Sequence, residues 1–442
     1  MRNRVAVLVT VGLFATLLGA SAEPSFLRIE NQFGHAHALL YMPQKASTIA
    51  VLQVHPWANS FDSFLGPLLS EKGFAVLLLN TRGVNKEGGQ PNEIFETLLL
   101  DVATGMEELR RRGYTEIILA GSSAGGPLIS LYENAAENGN RVFAGERKVF
   151  SFPGFFDKNG QALRLPSARA LILMNPICGA ATTFLNRLDP AVADESSGKR
   201  DSSLDMFDPA NDFDAKSGLA TYSEEFRRRF GKAQAARMNR LIDTARAKLA
   251  NGTMGYSDDD LIIIRSTRAR LLYADMGLGH GHFPALILPG GRIDVPRSDR
   301  TPGHYSLFGA VGDRNASVEG VVVHTLRSFL SMRAVRASFI DPTATCLADW
   351  GVDIESTNTT TVGNLRQIGA PWVLFSGTAD DKINIAELIY KETRSPDRSL
   401  IFIQGATHQM TSVDSSKLST AALRSLLVEQ IAKWIGARFR SR

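Results

Sequence analysis

The feature that most constrains the fold is a short apolar run leading straight into a turn of small residues. Residues 116–120 read Glu-Ile-Ile-Leu-Ala, and Gly121-Ser122-Ser123-Ala124-Gly125 follows, with a helical pattern opening at Ala124. A continuous aliphatic run with β-branched residues is typical of a strand buried on both faces. A buried strand that turns sharply into a helix predicts a parallel sheet covered by helices.

The same alternation of apolar runs and helical stretches extends along much of the chain. Residues 26–42 alternate in polarity as an opening hairpin does. Further strands are predicted at residues 48–54, 75–79, 168–174, 371–376 and 399–403, and helices at residues 60–72, 93–112, 385–393 and 420–435. Buried strands separated by helices indicate an α/β fold with a doubly wound, mostly parallel sheet.

The alternation is interrupted between residues 180 and 368. A chain of 442 residues exceeds what one average core sustains. We therefore predict a core in two parts, residues 23–179 and 369–442, flanking a large, mainly helical lid insertion at 180–368. Within it, helices are expected over residues 221–249, from Ser257 onward, and over residues 318–338.

The first 22 residues differ from the rest of the chain. Arg2 and Arg4 precede an apolar run, which ends at Ala20-Ser21-Ala22. This order is typical of a secretory signal peptide, and the run is short of the roughly 20 residues that a spanning helix needs. We predict cleavage after Ala22 and a periplasmic or secreted protein without stable membrane insertion; an uncleaved anchor is the alternative.

Charge and cysteine content narrow the possible partners. The formal net charge of +4 includes the two arginines of the predicted leader. The remaining positive charge is small and spread along the chain, so the sequence does not predict a nucleic-acid partner. The sequence has no Gly-rich phosphate loop or dinucleotide fingerprint, and we predict no cofactor. His280 and His282 lack a third ligand of convincing spacing, so no metal site is predicted. Cys178 and Cys346 either pair in an oxidising compartment or stay reduced.

Three residues at predicted strand ends form a candidate catalytic set. Ser123 lies at the turn, Asp380 follows the strand at residues 371–376, and His408 follows the strand at residues 399–403. A serine hydroxyl needs a base and a group that orients the base. The order Ser, Asp, His and the strand-turn-helix setting therefore predict a nucleophile, an orienting acid and a general base. Asp381 is the alternative acid.

A developing oxyanion requires two N–H donors near the nucleophile. The residue after the nucleophile, Ala124, supplies the first. The second is expected in the loop after an early strand, which here reads Val54-His55-Pro56-Trp57. Since Pro56 has no N–H, Trp57 is the predicted donor, and His55 is expected to brace the loop.

In these motifs the chain resembles the α/β-hydrolase superfamily. Pro56 stands where the family's oxyanion motif His-Gly-x has glycine, and Asn80-Thr81-Arg82-Gly83 is similar to the family's Asp-x-Arg-Gly turn. The resemblance covers about residues 26–180 and 365–440. It implies an α/β-hydrolase fold with a lid between the two parts of the core.

Together, these observations predict an exported serine hydrolase that cleaves a small-molecule or oligomeric carboxylic ester through an acyl-enzyme. An amidase, a peptidase, a carbon–carbon bond hydrolase or an acyltransferase would use the same residues. A non-catalytic binding protein with a vestigial triad is the alternative from another class. The sequence determines neither the substrate nor the oligomeric state.

Overall fold

The computed structural model describes most of the chain beyond the predicted leader. The described residues are 23–84, 92–214, 219–220, 222–251, 260–265, 286–287, 293–294, 321–339, 351–380, 383–393 and 395–439. The predicted signal peptide, Cys346 and Asp381 lie outside them, and Cys178 is a buried free thiol. No helix within these residues is long and apolar enough to cross a membrane.

The core sheet is built from eight strands that flank the insertion. They are β1 (Ser25–Asn31), β2 (Gly34–Tyr41), β3 (Ile49–His55), β4 (Ala75–Asn80), β5 (Glu116–Ser122), β6 (Ala170–Met174), β13 (Trp372–Gly377) and β14 (Arg398–Ile403). Their spatial order is β1-β2-β4-β3-β5-β6-β13-β14. The hairpin β1–β2 is antiparallel, β2 pairs antiparallel with β4, and the six strands from β4 to β14 run parallel.

Helices cover both faces of this sheet. They are α1 (Leu65–Glu71), α2 (Leu98–Arg111), α3 (Gly125–Asn138), α8 (Ile383–Glu392) and α9 (Thr420–Phe439). In β3, Leu52 packs into the hydrophobic cluster that contains α2 and α3, whereas its neighbour Val51 packs into the cluster that contains α1 and α9. Because successive side chains of a strand point to opposite faces, a sheet covered on both sides needs unbroken apolar strands. The structure therefore has the predicted doubly wound architecture.

The insertion mixes helices with strands. Its elements are α4 (Ala180–Arg187), β7 (Phe213–Asp214), β8 (Leu219–Ala220), α5 (Glu224–Asn251), β9 (Leu261–Arg265), β10 (Leu286–Ile287), β11 (Ile293–Asp294), β12 (Val321–Thr325), α6 (Leu326–Met332) and α7 (Thr361–Leu365). The long helix α5 matches its prediction.

Two predicted helices of the insertion are wrong in part. A helix was expected from Ser257 onward, but β9 is a strand, and the first part of the helix expected at residues 318–338 is the strand β12. β9 and β12 pair antiparallel and are rich in Ile and Val, whose branched side chains favour strands. The insertion was predicted to be mainly helical, but it also contains β10, which pairs with β14 and extends the core sheet.

The insertion leaves and rejoins the core at one place. Gly179 and Thr360 form an antiparallel bridge, and the Thr361 N–H donates to the Cys178 carbonyl oxygen at 2.7 Å. The Thr361 hydroxyl donates to the Ile177 carbonyl oxygen, also at 2.7 Å. These contacts lie just after β6, so the base of the insertion adjoins the carboxyl edge of the sheet.

Candidate active site

Ser123 lies at a strained turn between β5 and α3. Its φ of 50° is in the left-handed region, which is uncommon for a residue other than glycine. A Cβ on Gly121 would lie 2.5 Å from the Gly125 carbonyl oxygen, and one on Gly125 would lie 2.8 Å from the Val54 carbonyl oxygen. The two flanking glycines are therefore required by close approach of the backbone, as the sequence motif predicted.

The turn is held from the neighbouring strand. The Ser123 N–H donates to the carbonyl oxygen of Met174, the last residue of β6, at 3.0 Å. The Ser123 carbonyl oxygen accepts from the N–H groups of Gly126 and Ile177, both at 3.1 Å. The strained backbone is therefore fixed by hydrogen bonds on both sides of the serine.

The structure brings the three predicted residues together although they are far apart in sequence. His408 Nε2 lies 2.9 Å from Ser123 Oγ, and His408 Nδ1 lies 3.1 Å from each carboxylate oxygen of Asp380. Because a carboxylate can only accept, Nδ1 carries the imidazole proton and Nε2 is left to accept from the serine hydroxyl. Asp380 is 1% exposed. This is the geometry in which an imidazole can take a proton from a serine.

The loops that carry Asp380 and His408 are joined to each other. The Thr378 N–H donates to the Ile403 carbonyl oxygen at 3.0 Å, and the Ala379 N–H donates to the Ala406 carbonyl oxygen at 2.9 Å. The Gly405 N–H donates to the Thr378 hydroxyl at 2.8 Å. The hydrogen bonding between β13 and β14 thus continues into the loops that follow them. It places Asp380 and His408 side by side at the carboxyl edge of the sheet.

The loop after β3 contains the two other predicted groups, His55 and Trp57. His55 Nδ1 accepts from the Trp57 N–H at 3.0 Å and from the Ala58 N–H at 2.7 Å, as expected of a residue that braces the loop. Burial, with the nearby His408 as a second cause, lowers the pKa of His55 to about 4. His55 is therefore neutral near pH 7, with its proton on Nε2.

The two predicted oxyanion donors differ in their present hydrogen bonding. The Trp57 N–H is engaged with His55, a contact that the sequence did not reveal. The Ala124 N–H, in contrast, has no hydrogen-bond acceptor within the described part of the chain.

The turn after β4 supports this loop. The Thr81 hydroxyl donates to the Pro56 carbonyl oxygen at 2.7 Å, and Asn80 Oδ1 accepts from the Ser60 N–H at 2.8 Å. Arg82 forms a bidentate ion pair with Asp101 of α2. The resemblance of residues 80–83 to the family's Asp-x-Arg-Gly turn therefore corresponds to a structural role, support of the loop after β3.

Two further groups at the site were missed by the sequence analysis. Arg333, directly after α6, places its guanidinium carbon 5.0 Å from the centre of the Trp57 ring, whose Nε1–H donates to Glu93. Asn175, directly after β6, contacts the His408 loop. A polar residue at a strand end was the available signal for Asn175, but no local pattern relates Arg333 to Trp57.

Among the described residues, no three His, Cys, Asp or Glu side chains group as metal ligands. His280 and His282 lie outside the described residues.

Comparison with known proteins gives matches in structure only. No protein-family model and no curated protein sequence matches the chain. A hypothetical protein from Pseudomonas aeruginosa matches with 12% identity and a TM-score of 0.43, covering 99% of this chain and 100% of its own. An α/β hydrolase from a Penicillium species has 10% identity and a TM-score of 0.42, with coverages of 95% and 99%. An esterase domain from Rhodothermus marinus has 13% identity and a TM-score of 0.38, with coverages of 93% and 98%.

The fold is recognised from the chain's own architecture rather than from these distant matches. Six parallel strands follow an antiparallel hairpin in the order given above, and β5 enters a tight turn whose serine has a positive φ. A tight turn of this kind between a parallel strand and a helix is characteristic of the α/β-hydrolase fold. By the order of its strands and the turn at Ser123, the chain is a protein of the α/β-hydrolase fold.

Proposed function

We propose that this protein is an exported serine hydrolase that cleaves a carboxylic ester through an acyl-enzyme. The observation that carries the proposal is the hydrogen-bonded series from Ser123 Oγ to His408 Nε2 and from His408 Nδ1 to Asp380, at 2.9 and 3.1 Å. A side chain buried as fully as Asp380 is costly unless its charge has a partner, and here the partner is the imidazole.

Acylation begins with proton transfer from Ser123 Oγ to His408 Nε2 as Oγ bonds to the ester carbonyl carbon. The carbonyl oxygen becomes an oxyanion, and Asp380 stabilises the imidazolium that forms. The tetrahedral intermediate then collapses: the bond to the alkoxy oxygen breaks, and that oxygen takes the proton from Nε2 as the alcohol leaves.

Deacylation repeats these steps with water. His408 Nε2 takes a proton from a water molecule, whose oxygen attacks the acyl carbon. When the second tetrahedral intermediate collapses, Ser123 Oγ recovers the proton, and the acid is released. The enzyme returns to its starting state without a cofactor.

The oxyanion is proposed to bind the Ala124 and Trp57 N–H groups. Ala124 is placed at the N-terminus of α3, where a negative charge is favoured. The imidazole nitrogen of His55 has a single lone pair in the ring plane, and two N–H groups share it. The Ala58 N–H makes the shorter hydrogen bond to His55 Nδ1. The Trp57 N–H can therefore donate to an oxyanion instead, while His55 Nδ1 still accepts from the Ala58 N–H.

The test compares two adjacent serines of the same turn. Ser123→Ala in the mature protein should lower kcat for p-nitrophenyl butyrate by about 10⁶-fold, because the proposed acyl-enzyme forms on the Ser123 hydroxyl. Ser122→Ala is the matched control and should keep its activity. A fluorophosphonate probe should label wild type and the control but not Ser123→Ala. Undiminished turnover by Ser123→Ala, or a wild-type protein that stays unlabelled, would refute the proposal.

The ester and the export are tested separately. A panel of p-nitrophenyl esters and the corresponding anilides, assayed on wild type, compares ester with amide cleavage; faster anilide cleavage would favour an amidase. Sequencing the N-terminus of the exported protein should give Glu23 as the first residue. A retained Met1 would contradict the predicted cleavage.

A further inference from the structure

Asn175 occupies an unusual position directly after β6. It is 2% exposed, and its φ of 42° lies in the left-handed region. Asparagine tolerates this conformation better than most residues other than glycine. Its own N–H donates to the Phe375 carbonyl oxygen of β13 at 2.8 Å, so the residue continues the ladder between β6 and β13.

Every polar atom of the Asn175 side chain is used on backbone groups near Asp380 and His408. Nδ2 donates to the carbonyl oxygens of Thr407 and His408, at 3.0 and 2.9 Å, and Oδ1 accepts from the Gly377 N–H at 2.8 Å. The orientation of the amide is unambiguous, because carbonyl oxygens can only accept and a backbone N–H can only donate.

These contacts connect all three elements that carry the reacting groups. Gly377 ends β13, from which the chain runs on to Asp380, and the His408 carbonyl belongs to the imidazole-bearing residue itself. The residue before Asn175 is Met174, whose carbonyl oxygen accepts the Ser123 N–H. One short segment therefore holds the serine turn, the strand before the acid and the histidine loop.

We propose that Asn175 is a positioning residue, whose amide sets the place of His408 between Asp380 and Ser123; this rests on the proposed function. His408 is on a loop and is partly exposed, so its ring needs support from the backbone beneath it. Only a side chain with two donors and an acceptor on one short stem satisfies these three backbone groups. A displacement of about 1 Å in a catalytic group can cost about 10²-fold in rate.

Two substitutions separate the contributions of the side chain. Asn175→Gly keeps the positive φ without strain and removes all three hydrogen bonds. Asn175→Asp keeps the shape and the acceptor for the Gly377 N–H, but sets a carboxylate oxygen against the Thr407 and His408 carbonyl oxygens. If the donors to the histidine loop matter, both variants lose activity.

The matched control is Asn364, a second buried asparagine at 4% exposure. Its Nδ2 donates to the carbonyl oxygens of Asn358 and Thr360, each at 2.8 Å, and its Oδ1 accepts from Asn134. Asn364→Ala removes a similar set of bonds away from the reacting groups. It should lower the thermal midpoint without lowering kcat.

The experiment measures kcat and KM for p-nitrophenyl butyrate, the rate of fluorophosphonate labelling, and the low-field NMR signal of the His408 Nδ1 proton. For both Asn175 variants we expect kcat and the labelling rate to fall by about 10- to 100-fold, with KM little changed. The Nδ1 proton signal should shift or broaden, whereas it stays in place in Asn364→Ala.

Several results would overturn the inference. It fails if Asn175→Gly folds and keeps its kcat, if Asn175→Asp alone behaves as wild type, or if Asn364→Ala loses kcat to the same extent. Failure of the proposed function looks different, since wild type itself then remains unlabelled. The NMR signal reports the His408 hydrogen bond in either case.

Discussion

Among the buried carboxylates of this protein, those in two regions differ in the kind of hydrogen-bond partner that they have. At the carboxyl edge of the sheet, Asp380 is 1% exposed and faces the His408 imidazole. Where the insertion packs on the core, Glu96 is fully buried, accepting from the Ser331 hydroxyl at 2.5 Å and from Asn358 Nδ2 at 2.8 Å. The first carboxylate has a partner that can gain a proton, whereas the second has neutral donors.

The difference shows that burial of an acid does not by itself mark a reactive site. Burial raises the pKa of Glu96, while the hydrogen bonds from Ser331 and Asn358 oppose the rise. A third acid, Glu133 of α3, is 1% exposed and accepts from the Ala168 N–H, with Glu137 one helical turn away. The partner of each acid, rather than its depth, separates a candidate catalytic group from a structural one.

The largest effect should come from changing the acid that faces the imidazole. Asp380→Asn keeps the shape but cannot hold His408 in the tautomer that leaves Nε2 free to accept. We expect kcat to fall by about 10⁴-fold with an intact fold. Steady-state kinetics and circular dichroism would measure the two quantities.

Asp397 offers a control on the same sheet. It pairs with Arg438 just before β14, at the opposite edge from the site. Asp397→Asn should keep kcat. If Asp380→Asn and Asp397→Asn lost kcat equally, the proposed difference between the carboxyl edge and the opposite edge of the sheet would be wrong.

A second test concerns the paired acids of α3. Burial above all, and secondarily the charge of Glu137, raises the pKa of Glu133 from 4.5 to about 8, against the Ala168 hydrogen bond. The folded protein therefore holds this proton more tightly than the unfolded chain. The contribution of Glu133 to the free energy of unfolding should be highest below pH 4.5 and should fall as the pH rises to about 8.

Glu133→Gln should remove this part of the pH dependence, which amounts to at most about 5 kcal/mol over the whole window. The variant should gain stability relative to wild type as the pH rises from 5 to 9. Urea unfolding across that range measures the effect, with exposed Glu146→Gln as the control. Parallel curves for Glu133→Gln and wild type would contradict the assignment.

The smallest effect is expected where the insertion meets Glu96. Ser331→Ala removes one donor to the buried carboxylate and leaves the Phe95 N–H without the acceptor that it has at 2.8 Å. We expect a loss of about 1–3 kcal/mol in unfolding free energy, with kcat unchanged. Exposed Ser338→Ala should cost almost nothing. A fall in kcat in Ser331→Ala would mean that this contact also serves the site.

The core could be read from the sequence because its pattern is local and repeated. The strand predicted at residues 48–54 is Ile49–His55, and the closing helix predicted from Thr420 is Thr420–Phe439. Strands covered on both faces must be apolar throughout, so they stand out from the amphipathic helices between them. The insertion lacks that repetition, so the sequence pattern predicts helices where the branched residues of β9 and β12 form strands.

The sequence by itself determined the order of the core elements, the two required glycines and the placing of Ser123, Asp380 and His408 at strand ends. Parallel strands bring such ends to one edge, so local patterns were sufficient. Only the tertiary structure decided that Asn175 joins three of those elements and that the Trp57 N–H contacts His55. It also decided that Arg333 lies over the Trp57 ring. Such contacts depend on how loops from distant parts of the sequence pack against each other. The spacing of residues along the chain does not predict which of these loops come into contact.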